Sequence, residues 1–255
     1  MKRTFRLKTA VPILLIILLL GSLALNGYLF LKTRQYYLDL NGTRLDPLGL
    51  RTYPVGEAVV KEEGEITAVF FGDSRAAQWP NPTGMDGYQF INRGIGSQTS
   101  VQVAARFQQH VAPLQPDLII VQMCINDLKT IPLFPQNEQA IIQNCLANID
   151  QVLAEAENLG AKVILTTVFP VGDVPLERRI VWSPDIAKAV TAVNEQIHTK
   201  AGQNVFVFNT HAILVDERGL LSQEYARDEL HLNEIGYIYL NEKLIEFIDV
   251  QELTP

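Results

Sequence analysis

The chain has 255 residues, 47% of them hydrophobic, and a formal net charge of −7. That length supports one sizeable domain with a real core, and two cysteines exclude a disulfide-built scaffold. The acidic balance argues against nucleic acid and anionic lipid headgroups as partners of the folded part.

The first element is an apolar run. Thr9 to Leu31 contains no charged residue, and its core VPILLIILLLGSLALNGYLFL is 21 residues long. About 20 apolar residues suffice to span a bilayer as a helix. Lys2, Arg3, Arg6 and Lys8 precede the run. The positive-inside rule therefore places the N-terminus in the cytoplasm and the remainder outside it. A cleaved signal peptide is the competing reading. The run continues through Tyr28-Leu29-Phe30-Leu31, past the small residues near Ala24, which favours an uncleaved anchor. No cysteine lies nearby to carry a lipid.

Residues 1–31 are thus read as a basic stub and membrane anchor, 32–64 as a connector, and 65–255 as the domain. The connector is polar and holds turn formers at Asn41-Gly42, Pro47-Leu48-Gly49 and Tyr53-Pro54. It reads as a tether that packs on the domain edge. No internal repeat or low-complexity tract is visible.

Within the domain, short apolar runs alternate with amphipathic stretches. Strands are expected at Ile66–Phe71, Tyr88–Ile91, Asp117–Met123, Lys162–Val168 and Asn204–Phe208. The runs are nearly continuous rather than alternating, as parallel strands covered on both faces require. Helical stripes lie between them. One is Val101, Ala104, Phe107 and Val111; another is Ile142, Cys145, Ile149, Leu153 and Ala156, stopped at Gly160. Ser183-Pro184 opens a third, with Ile186, Val190, Val193 and Ile197 as its stripe, and Asn233 opens the last, carrying Tyr237, Leu240, Leu244 and Phe247. This alternation predicts a three-layer α/β fold around a parallel sheet. Cys124 falls on a strand pattern and Cys145 on a helical stripe, so both read as buried thiols, with a disulfide left open. There is no CxxC, no HExxH and no metal-ligand spacing.

Four short blocks carry chemistry. In open α/β sheets, ligands bind beyond the carboxyl ends of the strands. Gly72-Asp73-Ser74-Arg75 follows the first strand there. Alone it reads as a turn with an N-cap; as chemistry it exposes the Ser74 hydroxyl at a helix start. Asp228 and His231 lie three residues apart just before the final helix. That spacing lets the carboxylate hold one imidazole nitrogen while the other faces Ser74. His110 and His198 sit on helices, which leaves His211 as the reserve base. Asn126 follows the third strand and offers a side-chain amide, although Asn126-Asp127 also suits an Asx turn. The turn in Asn92-Arg93-Gly94-Ile95-Gly96-Ser97 offers backbone N–H groups for an oxyanion. Its glycines do not make a dinucleotide site, because Thr99 stands where a third glycine is needed and the motif follows the second strand.

These blocks, in this order, resemble those of the SGNH hydrolases, also called the GDSL esterase/lipase family, over about Ile66 to Phe247. The resemblance implies a flavodoxin-like fold and ester or thioester hydrolysis without a metal or organic cofactor. It assigns Ser74 as nucleophile, Asp228 with His231 as the Asp-x-x-His pair, and Ser74, Ser97 or Gly96, and Asn126 as oxyanion donors. Three positions depart from the family pattern. Ser97 stands where the donor glycine is usual, Cys124 replaces the glycine of Gly-x-Asn-Asp, and Arg75 replaces a Leu. A backbone donor survives at Ser97 if the turn does not need positive φ. Arg75 reads as a pocket residue for acidic substrates or as a rim ion pair.

The combined reading is a membrane-anchored extracytoplasmic serine esterase. Its expected substrate is a small acyl ester, an acylated envelope polysaccharide or a lipid ester, with the membrane as partner through the N-terminal helix and nucleic acid excluded. An O-acyltransferase of the same fold and a non-catalytic envelope scaffold are the alternatives.

Overall fold

The structure is a computed structural model that describes residues 2–53 and 64–253; of residues 2–9 only the backbone is described. The chain divides into two compact units, Met1–Pro47 and Leu48–Pro255.

The first unit is one helix, α1 (Lys2–Leu45). Its stretch from Ala10 is long and apolar enough to cross a membrane. The helix continues through Asn41-Gly42, where the sequence suggests a turn. Two side chains there bond back along the helix. Asn41 Nδ2 donates to the Tyr37 carbonyl at 2.7 Å, and Thr43 Oγ1 donates to the Asp39 carbonyl at 3.0 Å. The expected turn at Tyr53-Pro54 reaches outside the described residues.

The second unit is a five-stranded parallel sheet. Its strands are β1 (Ile66–Gly72), β2 (Tyr88–Gly94), β3 (Leu118–Gln122), β4 (Lys162–Thr166) and β5 (Val205–Phe208), in the order β2-β1-β3-β4-β5. This is the flavodoxin-like order. The crossovers carry α2 (Ser74–Ala77), α3 (Ser100–Ala105), α4 (Phe107–His110), α5 (Ile125–Leu128), α6 (Glu138–Asn158), α7 (Asp185–His198) and α8 (Thr210–Leu214), and α9 (Glu234–Val250) closes the domain. The helix expected around Val101–Val111 is broken at Arg106 into α3 and α4.

The continuous apolar strands are explained by the two cores. Val69, Phe71, Ile119, Val121, Val163 and Leu165 face one layer, with Phe107, Ile149, Val152 and Val193 from the helices. Ala68, Phe70, Leu118, Ile120 and Ile164 face the other, with Trp79, Tyr237, Leu240 and Leu244. Successive residues point to opposite faces, so a strand covered on both must be apolar throughout. Fully burying one such side chain contributes roughly 1.5–3 kcal/mol. Asn233 caps α9, its side chain accepting from Gly236 N at 2.8 Å.

One expectation about the core is corrected. Cys124 and Cys145 are not free thiols; they form a disulfide joining the β3–α5 turn to α6. Both positions are fully buried. Apolar patterning therefore marks both as buried, but Cys124 lies in the turn after β3 rather than on the strand, and the patterning could not show that the fold brings the two together.

Candidate active site

The sheet order reverses direction around β1 and β3, and the four blocks meet at the carboxyl ends of the strands there. β1 ends in Gly72, where a Cβ would lie 1.7 Å from the Gln122 carbonyl oxygen of β3. No other residue fits that approach. The chain then turns at Asp73, whose Oδ1 accepts from Arg75 N at 2.9 Å, and enters α2 at Ser74. Gly94 at the end of β2 packs directly against α2, with Ala77 N only 2.1 Å from where its Cβ would be. Ser74 is half-buried, with its hydroxyl at the open edge.

Ser74 Oγ lies 2.9 Å from His231 Nε2. His231 Nδ1 lies 2.9 Å from both carboxylate oxygens of Asp228. Asp228 Oδ1 also accepts the backbone N–H groups of Leu230 and His231, at 2.9 and 2.8 Å. An acceptor-only carboxylate on Nδ1 selects the tautomer with its proton there, which leaves Nε2 free to accept from the serine hydroxyl. Burial works to raise the Asp228 pKa, but these N–H donors and the imidazole outweigh it and hold it below the usual carboxylate value. Burial is the main cause that lowers the His231 pKa below the ordinary histidine value; Asp228 opposes it, while Arg227 and Arg75 add to it. Burial thus favours the neutral imidazole, the form able to take a proton. His211, the reserve base, lies on α8, where its backbone N–H donates to Thr167 Oγ1; Ser74 bonds to His231 instead.

The groups expected to serve as oxyanion donors converge on the same edge. Gly96 and Ser97 are exposed, and a Cβ placed on Gly96 would lie 3.8 Å from Ser74 Cβ. Among the described residues, neither of their N–H groups has an acceptor. Ser74 N–H belongs to the unpaired first turn of α2. The buried Asn126 amide donates one N–H to the Gln98 carbonyl at 2.9 Å and keeps a second. Asp127 is occupied structurally, accepting from Ser100 N and Oγ at 2.8 and 2.7 Å.

The departures from the family pattern acquire physical content. The turn does require positive φ at Ser97, which sits at +65°, and Cys124 sits at +89°. A non-glycine residue in this region costs of order 1–3 kcal/mol and persists only where its surroundings hold it. At Cys124 the disulfide supplies a restraint. Arg75 is neither a pocket nor a rim residue, because it is completely buried. Its guanidinium donates to the carbonyls of Leu230, Phe169 and Pro170 and lies over the Phe169 ring. Burial pushes its pKa down to about 10, and burial likewise pushes Asp73 up to about 6.

Sequence reasoning missed a second buried arginine. Arg106 donates to the carbonyls of Gly72 and Arg93 and to Gln98 Oε1, which braces β1, β2 and the turn between β2 and α3. It lies beside the expected apolar stripe, at the break between α3 and α4, where no local signal marks it. Among the described residues, no group of three His, Cys, Asp or Glu side chains is placed to hold a metal ion.

A family model described as GDSL-like Lipase/Acylhydrolase matches residues 65–238. Solved structures share the fold. A GDSL-like lipase from Bacteroides thetaiotaomicron VPI-5482 is 24% identical, with a TM-score of 0.61, covering 76% of this chain and 92% of its own. A lipase/acylhydrolase from Enterococcus faecalis is 20% identical, with a TM-score of 0.55, covering 73% and 96%. An acetylxylan esterase from Geobacillus stearothermophilus, solved as a catalytic mutant, is 17% identical, with a TM-score of 0.51, covering 72% and 95%. Comparison with curated proteins found no match.

Proposed function

The chain belongs to the GDSL-like lipase/acylhydrolase family and is an ester hydrolase of it, and from that premise we propose that Ser74, His231 and Asp228 are its catalytic triad. The observation that carries this reading is the continuous relay from Ser74 Oγ through His231 to Asp228, with both links at 2.9 Å.

In the proposed reaction, Ser74 Oγ attacks the ester carbonyl while its proton passes to His231 Nε2. Asp228 stabilises the imidazolium. The N–H groups of Ser74 and of Gly96 or Ser97, with the Asn126 amide, hold the oxyanion. The tetrahedral intermediate collapses, His231 returns the proton to the leaving alkoxide, and an acyl-enzyme remains. Water, deprotonated by His231, then releases the acid.

The proposed location is the extracytoplasmic face, anchored by α1. Two features support this: the basic residues ahead of the apolar run, and the Cys124–Cys145 disulfide, which suits an oxidising compartment. The proposed substrate is a small acyl ester, with an acetylated envelope polysaccharide as its natural form. The likeness to an acetylxylan esterase supports this at the level of chemistry. A lipid ester is the second reading. It is favoured by Leu176 and Ile180, which are 74% and 90% exposed in a turn whose Arg178 pairs with Glu229 beside Asp228.

The test compares the full chain in detergent with its Ser74→Ala variant on p-nitrophenyl esters from acetyl to palmitoyl. Ser74-dependent turnover with a short-chain optimum supports the deacetylase reading; a long-chain optimum supports the lipid ester. Turnover that survives Ser74→Ala would sink the triad. A sugar acceptor added to the same assay separates acyl transfer from hydrolysis by its product.

A further inference from the structure

The family match begins at residue 65, yet the site has contacts from well before it. Residues 48–53 lie against the 94–98 turn at three points. Tyr53 Oη donates to the Gly94 carbonyl at 2.5 Å. Gly49, at φ +67°, packs so closely on the turn that a Cβ would lie 3.0 Å from Ile95 Cδ1 and 3.2 Å from Gln98 Nε2. The Leu48 carbonyl accepts from Gln98 Nε2 at 2.8 Å. The Tyr53 ring is itself held, with the Arg93 guanidinium 4.7 Å over its face and the His110 ring against it edge-on.

These contacts bracket the part of the turn that most needs support. Gly94 and Gln98 stand on either side of Gly96 and Ser97, the latter in a left-handed conformation that a serine adopts only under restraint. Gln98 also carries the carbonyl that holds the Asn126 amide. Its side chain is gripped from two directions, by Leu48 through Nε2 and by Arg106 through Oε1. The strap thus reaches the supports of every proposed oxyanion donor outside α2.

We propose that Leu48–Tyr53 is a positioning strap of the esterase site, holding the 94–98 turn so that Gly96, Ser97 and Asn126 face the oxyanion formed at Ser74. It rests on the reading of those residues as oxyanion donors. None of the strap touches the reacting atoms; it acts through the turn.

The experiment uses the full chain in detergent with Tyr53→Ala and Tyr53→Phe, each alone and combined with Ser97→Gly. Steady-state kinetics on p-nitrophenyl acetate, the pH profile of kcat/KM and the thermal midpoint are measured for all. Loss of one oxyanion donor typically lowers the rate about 10²–10³-fold. A loosened donor should cost less, so kcat is expected to fall about 10- to 100-fold in Tyr53→Ala and about 3- to 10-fold in Tyr53→Phe. KM should stay within about twofold, and the acid limb should not move, because Ser74, His231 and Asp228 are untouched. Ser97→Gly removes the bias against the left-handed conformer, so it should recover most of the loss in the Tyr53→Ala background, a non-additive pair. A merely structural role would lower the thermal midpoint without that rescue. Wild-type kcat in both Tyr53 variants, or a loss that Ser97→Gly only deepens, overturns the strap. If Tyr53→Ala fails to fold, Tyr53→Phe, which keeps the ring, decides. A parent chain with no Ser74-dependent turnover would overturn the hydrolase mechanism and the strap with it.

Discussion

Asn126 and Gln98 join two loops that are far apart in sequence: the Asn126 amide, after β3, donates to the Gln98 carbonyl, after β2, at 2.9 Å. One N–H of the amide is consumed in aiming the other. Asn126→Ala removes both functions at once. It should lower kcat about 10²–10³-fold with little change in KM, because the donor acts on charge present only in the transition state. It also leaves the Gln98 carbonyl without its partner, at about 1–3 kcal/mol of stability. Steady-state kinetics and urea unfolding of the variant check both. An unchanged kcat would remove Asn126 from the oxyanion site.

The environment of His231 predicts the pH profile. In the proposed triad His231 must be neutral to accept the Ser74 proton, so activity is expected above the His231 pKa and lost as pH falls through it. Burial holds that pKa below the ordinary histidine value, so the acid limb of kcat/KM should lie below about 6.5. Arg227, whose guanidinium lies 3.5 Å from Asp228, contributes to the lowering. Arg227→Gln should therefore move the limb upward. A limb above 6.5 in the parent, or one that moves down in the variant, contradicts this picture.

How far the sequence speaks depends on the range of the interaction concerned. Ile66–Phe71 announces β1 because both faces of that strand are buried, and burial is written in apolarity. Tyr88–Ile91 announces only the first part of β2, because the strand continues through Asn92-Arg93-Gly94. Those polar residues look like a loop, but Asn92 spends its amide on the carbonyls of Ala76 and Trp79. The Asp228–His231 pair is legible because its partners are three residues apart. The roles of Tyr53, Gln98 and Arg106 are not, since each is defined by groups brought near only by the sheet. The burial of Arg75 is illegible for the same reason, since nothing local says that three carbonyls surround it.

The disulfide offers a test of the second strained position. Cys124 holds φ +89° one residue before α5, which carries Asn126. Reduction should cost about 2–4 kcal/mol of stability, and release the backbone from its left-handed conformation. Replacing the pair separates the two effects. Cys124→Ala with Cys145→Ala should lose both stability and kcat, because alanine disfavours that φ. Cys124→Gly with Cys145→Ala should lose stability but keep most of kcat. Urea unfolding and kinetics on the two double variants decide it, and equal kcat in both would show that the left-handed turn needs no restraint.

Arg75 supplies the last prediction. Its guanidinium sits at the point where the His231 loop meets the chain leaving β4, donating to Leu230 on one side and to Phe169 and Pro170 on the other. Leu230 immediately precedes His231, so the arginine is expected to help set the height of the imidazole above Ser74. A buried cation is costly, and burial accordingly lowers its pKa, with the Asp73 and Asp228 carboxylates opposing that shift. It is tolerated because three carbonyl dipoles and the Phe169 ring replace its hydration. Arg75→Leu gives the residue usual in the family and removes the buried charge. The same change strands three carbonyls that this chain has built around a guanidinium, each worth about 1–3 kcal/mol when left unpaired. The second effect should prevail, with a net loss of about 3 kcal/mol in urea unfolding and a fall in kcat larger than any rise in KM. Arg75→Lys should recover only part of both, since one ammonium cannot span the three acceptors with the fork of a guanidinium. Equal or greater stability in Arg75→Leu would mean that the loop closes as well around an apolar side chain and that the arginine does not position His231.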